Sequence, residues 1–172
     1  MISNEVRPYL VKVCTALNSH NVDFLVVGGA AVNHYGYIRG SGISNYKEEL
    51  KVDLDFWYNP TIENYHKILD ALDELNVDTN DLKNLIFDKQ KTFLKIPHKD
   101  FHTDFLPVMN GLDSYRESRA KAESLDLDGV ILRILSYDDL IINKRAVNRK
   151  TDQSDIDELD KIRRKKSRGR SI

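Results

Sequence analysis

The sequence predicts an α+β domain, with short strands gathered into a sheet and amphipathic helices packed on it. Three observations lead there. Apolar runs of strand length alternate with stretches of helical period along the 172 residues. One apolar run, Phe24-Leu25-Val26-Val27, passes through Gly28-Gly29 straight into a helical stretch. The segment Lys51-Val52-Asp53-Leu54-Asp55-Phe56-Trp57 alternates polar with apolar, as a half-buried strand does. That alternation puts Val52, Leu54 and Phe56 on one face and Lys51, Asp53 and Asp55 on the other. Two carboxylates so close raise each other's pKa, a cost that open water or a divalent cation relieves. A wet strand face with no further role is the alternative reading of the same acids.

In chain order, residues 4–20 carry Val6, Tyr9, Leu10, Val13 and Leu17 at helical spacing. Residues 23–27 form the apolar strand. The glycines after it allow a sharp turn and close approach of a ligand to the backbone. The helix they open suits a phosphate, although a plain strand-to-helix turn uses the same residues. Residues 36–50 read as a loop, with Arg39 as a cation for phosphates or a solvated side chain. Asn59-Pro60 reads as a helix start, followed by Ile62, Tyr65, Ile68, Leu69, Leu72 and Leu75 in helical period. A short helix is placed around 82–87 and a strand at 92–96. After a turn at 97–100, the strand 101–106 puts Phe101, Thr103 and Phe105 on one face and His102 and Asp104 on the other. His102 reads as a solvent-exposed or hydrogen-bonded neighbour rather than a ligand. Residues 107–128 read as a loop and then a polar helix or strand. Asp128-Gly129 signals a hairpin before a strand at 130–135. Ser136-Tyr137-Asp138-Asp139 has capping-box spacing and starts a helix to about 147. Lys144 lies on that helix's apolar stripe, where it either snorkels to the rim or reaches an anionic ligand. The last helix, 152–166, has its acids early and its bases late, which complements the helix dipole and accounts for Asp152 and Asp155. Seven of the ten residues 161–170 are basic; they fit an RNA contact or a frayed end.

Composition narrows the classes. Hydrophobic residues at 41% and charged residues at 31% are those of a soluble globular chain. A net charge of −1 excludes wholesale electrostatic attraction to nucleic acid or membrane. Cys14 is the one cysteine, read as a small buried apolar residue, so no intramolecular disulfide is possible. No secretory signal or membrane-length apolar run is read, and a cytoplasmic location is expected.

Taken together, the motifs resemble the nucleotidyltransferase superfamily that includes DNA polymerase beta. The likeness is to the small bacterial MNT-type proteins and the AbiEii-like toxins. The residues that carry it are Gly28-Gly29-Ala30-Ala31, Gly36-Tyr37, Arg39, Asp53-Leu54-Asp55, Asp104, Leu140-Ile141-Ile142-Asn143-Lys144, Arg149 and Asp152. They run from about residue 22 to residue 160. Two departures stand out: an insertion at 40–50 between the glycines and the acidic strand, and Lys51 where small members often carry threonine. The resemblance implies the nucleotidyltransferase fold, a small mixed sheet flanked by helices with further helices at the C-terminus. It implies one such domain over 1–160 and a basic tail over 161–172.

The resemblance also implies the chemistry. Asp53, Asp55 and Asp104 would be the catalytic and metal-binding residues for a pair of Mg²⁺ ions. Gly28, Gly29, Arg39 and Lys144 would bind the nucleotide. The reaction would move a nucleoside monophosphate from a nucleoside triphosphate to a hydroxyl. Its acceptor would be tRNA or a protein in a toxin–antitoxin-like system, or a small molecule of the aminoglycoside kind. A non-catalytic module that binds a nucleotide or a partner is the remaining alternative. All of this requires the three acids to share one pocket beside the glycine turn.

Overall fold

The computed structural model describes residues 2–38 and 52–168. Arg39, Lys51 and the insertion 40–50 therefore lie outside the described residues, as does 169–172. Among those described are seven helices and six strands, and the strands form a mixed sheet. The α+β expectation, with helices flanking a small mixed sheet, holds.

Helix α1 (Arg7–Ser19) buries Leu10, Val13, Cys14 and Leu17, with Pro8 in its first turn, where a missing N–H costs nothing. Strand β1 (Phe24–Val26) is buried throughout and leads into α2 (Gly28–His34). Strand β2 (Val52–Tyr58) and strand β4 (Phe101–Leu106) lie side by side and parallel at the centre of the sheet. The order is β3-β4-β2-β1-β6-β5, where β3 is Leu94–Pro97, β5 is Glu123–Leu127 and β6 is Val130–Ile134. Pro97 closes β3, an edge strand, where a residue with no N–H breaks no ladder.

The period-2 patterns sort the two faces of the sheet. Leu54, Phe56, Phe101, Thr103 and Phe105 are buried. Phe56 stacks on Phe105, and Phe101 meets Tyr9 of α1. Helix α3 (Ile62–Glu74) packs beside α1 and buries Tyr65, Ile68, Leu69 and Leu72. The opposite face of β2 and β4 carries Asp53, Asp55, His102 and Asp104.

Several local expectations are corrected. Asn59 is not the cap of α3. Thr61 is, its Oγ1 accepting from the Asn64 N–H at 3.2 Å, while the Asn59 amide turns to Asp23. The helix placed at 82–87 is a single turn, α4 (Asn80–Lys83). Residues 107–128 resolve into both options: α5 (Tyr115–Lys121), capped by Ser114, and the edge strand β5. The hairpin at Asp128-Gly129 forms, both residues having positive φ. Ser136 caps α6 (Tyr137–Val147), accepting from the Asp139 N–H. The last helix, α7 (Lys150–Arg168), runs longer than expected at both ends. Residues 161–168 are thus the final turns of a helix and not a frayed end.

Candidate active site

The glycine turn is built around one carboxylate. Val27 N–H donates to the Asp55 carbonyl at 3.0 Å, which holds the end of β1 against β2. The next residue, Gly28, sits at φ +57°. A Cβ on Gly28 would lie 2.0 Å from Asp55 Oδ2, inside any van der Waals contact. Glycine is required here on two counts, a left-handed backbone and a side chain lying against it. The Asp55 carboxylate therefore lies directly over the start of α2.

The parallel register of β2 and β4 brings in the third acid. Asp55 stands opposite Asp104, and Asp53 opposite His102. Asp53 is exposed, and its Oδ1 is 3.3 Å from His102 Nδ1, so His102 is a polar neighbour as the strand pattern suggested. Asp104 is only 20% exposed, and Lys95 Nζ of β3 is 3.8 Å from its Oδ2. Its Oδ1 is buried with no hydrogen-bond partner among the described residues. Burial raises the Asp104 pKa; Lys95 opposes that rise and the charge of Asp53 adds to it.

A second charged cluster lies where α6 meets α7. Lys144 is 3% exposed and does not snorkel. Its Nζ is 2.6 Å from Asp155 Oδ2 and 3.1 Å from Asp152 Oδ1. Both aspartates are 1% exposed. A favourable place in the first turns of a helix does not account for charges buried this deeply; pairing with Lys144 does. Arg149 sits in the corner just before α7. Its Nε donates to Asp152 Oδ2 at 2.8 Å, and its side chain is 70% exposed. Burial pushes the Asp152 carboxyl up, but hydrogen bonds from Arg149 and Lys144 outweigh it and hold the group at about 2.

The two clusters face one cavity of about 420 Å³. Gly28, Gly29, Asp53, Asp55, Asp104 and Lys144 all line it. Of the residues singled out in the sequence, only Arg39 is not placed. Lys95 and Arg149 complete the wall. Lys95 was missed because an alternating edge strand gives no sign of what its outward residues face. Arg149 belonged to the matching pattern but had no role assigned to it. Among the described residues, no three His, Cys, Asp or Glu side chains stand close enough to hold a metal ion by themselves.

A family model described as "Nucleotidyl transferase of unknown function (DUF2204)" matches residues 7–171. The chain belongs to that family. The nucleotidyl transferase assignment also agrees with the fold. The structure is similar to the crystal structure of an antigenic nucleotidyltransferase-like protein from Paracoccidioides brasiliensis, with a TM-score of 0.50 at 15% identity. That likeness covers 94% of this chain and 77% of the other. No curated protein matches by sequence. No helix among the described residues of this family member is long and apolar enough to cross a membrane.

Proposed function

We propose that the protein is a metal-dependent nucleotidyltransferase that moves a nucleoside monophosphate from a nucleoside triphosphate to an acceptor hydroxyl. The observation that carries this reading is the shared cavity. Asp53, Asp55 and Asp104 open onto the same space as Gly28, Gly29 and Arg149. A divalent cation fits the donor set. The oxygens are hard carboxylates, and Asp104 Oδ1 is buried without a partner among the described residues, a costly arrangement that a ligand would relieve. Magnesium commonly takes one or two carboxylates, with substrate phosphates and water completing its shell. That fits a site lacking an all-protein cluster of three ligands. Asp53, Asp55 and Asp104 would share in holding Mg²⁺, each ion taking one or two of the carboxylates; the metal when bound would neutralise phosphate charge and favour the ionised acceptor.

The chain's own groups supply the rest. Gly28 and Gly29 bring backbone to the cavity wall, where a triphosphate would lie beside the Asp55 carboxylate that fills the Cβ position of Gly28. Arg149 offers an exposed guanidinium to the phosphates, and its contact with Asp152 fixes its direction. Lys144 lines the cavity too, but two carboxylates already hold its ammonium, so it lends charge from behind. The acceptor oxygen forms a bond to the α-phosphorus as the bond to the β-phosphate breaks. Pyrophosphate leaves, and the hydroxyl proton passes to Asp104, which faces the same cavity. The exposed basic turns of α7, from Lys161 to Arg168, favour RNA among the acceptors. Buried, unpaired Cys14 suits a reducing cytoplasm.

Incubation of the protein with each α-labelled nucleoside triphosphate, Mg²⁺ and a cell extract tests the reading. Label is expected on one class of macromolecule or small molecule. Asp53→Ala and Asp55→Ala should each lower labelling at least about a hundredfold while remaining folded. Full activity in either variant would remove the carboxylates from the mechanism.

A further inference from the structure

The acidic cavity continues past Asp104. A second cavity of about 290 Å³ shares Gly28, Asp55, Asp104 and Arg149 with it, so the two form one cleft with unlike halves. The far half is walled by Phe93 ahead of β3, by Leu106, Val108 and Met109 at the end of β4, and by Val147 of α6. Phe93 is 47% exposed and Val108 46%. Exposed apolar groups gathered beside a charged site are informative where scattered ones are not. Phe93 also differs from its fellows. The other five phenylalanines each meet an aromatic ring, whereas Phe93 meets none among the described residues. Asn143 lines the same half, its Nδ2 donating to the Asn110 carbonyl at 2.9 Å.

We propose that this half of the cleft is the subsite for the base of the donor nucleotide, with Phe93 as its stacking platform. A nucleoside triphosphate is a flat ring joined to a polyanion, and the cleft repeats that division in one continuous space. The polyanion lies toward Gly28 and Arg149. The ring lies against Phe93 and Val108, with buried Met109 beside them, where it covers apolar surface now in water. The tethered Asn143 carboxamide offers its oxygen to an N–H on the ring edge. Stacking tolerates any base, so Phe93 sets affinity for nucleotides as a class rather than the choice among them.

The proposal rests on the nucleotidyl transfer reading, and calorimetric titration separates the two. The full chain is titrated, in Mg²⁺, with inorganic tripolyphosphate and with whichever ribonucleoside triphosphate binds tightest. Wild type should prefer the nucleotide. Phe93→Ala, a change at a half-exposed position, should weaken nucleotide binding by about tenfold and leave tripolyphosphate binding unchanged. Phe93→Trp should restore nucleotide affinity, with its fluorescence quenched on binding. Unchanged nucleotide affinity in Phe93→Ala, or an equal loss of both ligands, overturns the subsite and leaves the transfer reading in place. So does an effect confined to the KM of the acceptor, which would give this half of the cleft to the other substrate. A wild type that binds neither ligand overturns the transfer reading, and the subsite with it.

Discussion

Gly28 shows how tightly a single residue is constrained. Its φ of +57° disfavours any side chain, and Asp55 occupies the place a Cβ would take. Gly28→Ala has to move either the acidic strand or the start of α2. A stability loss of at least about 1–2 kcal/mol follows from the backbone alone, before the clash is counted. Thermal unfolding should show the drop, and activity should fall by more than the loss of folded protein explains. A variant with wild-type Tm and turnover would mean that Asp55 has other room to occupy. The sequence placed Gly28 beside the acids only through order along the chain. That the glycine and the carboxylate are in contact was not legible, because contact depends on the β1–β2 register.

The pairing of α6 with α7 is the element most dependent on buried charge. One ammonium and two carboxylates lie between the helices, with Arg149 across the opening. Replacing Lys144 with methionine removes the ammonium that both carboxylates contact, while Arg149 still holds Asp152. The expected cost is about 3–5 kcal/mol, a Tm drop on the order of 10 °C. Acid should act in the same direction. Asp152 ionises at about 2 in the folded chain, against an ordinary value of 3.8. A depressed carboxyl stabilises the fold above the ordinary value, and that contribution is lost as pH falls from 3.8 towards 2. Asp152→Asn should flatten the loss of stability in that window, which denaturant titrations at stepped pH would reveal. The sequence supplied the helices and the position of Lys144 on a buried stripe. It did not supply the partners, because the early acids of α7 have a sufficient local explanation in the helix dipole.

At the scale of the whole molecule, the candidate site is a place where the fold carries an electrostatic cost. Three acids from two strands line one cavity, and burial raises the pKa of Asp104. An acid whose pKa is raised on folding destabilises the fold above that pKa, and the penalty fades as pH falls through it. Asp104→Asn should therefore raise the Tm of the ligand-free protein, by roughly 2–4 °C for each 1 kcal/mol relieved. If the proposed transfer reading holds, Mg²⁺ with nucleotide should raise the Tm of the wild type, and Asp104→Asn should lose both that rise and transfer. A lower Tm in Asp104→Asn would mean that the carboxylate is held by its neighbours rather than waiting for a ligand.

The sequence by itself determined the elements and the chemistry each could carry. Period-2 alternation put Asp53 and Asp55 on one strand face and Asp104 on another, and helical periods marked the packing stripes, because these patterns are local consequences of backbone geometry. Only the tertiary structure decided which side chains share a space. Parallel pairing of β2 with β4 set Asp55 opposite Asp104, and the fold of α7 against α6 took Lys144 into a buried ion pair and left Arg149 facing the cavity. The same packing opened the apolar half of the cleft beside Phe93. Such meetings depend on register and on the docking of segments far apart in the chain, which a one-dimensional pattern does not encode.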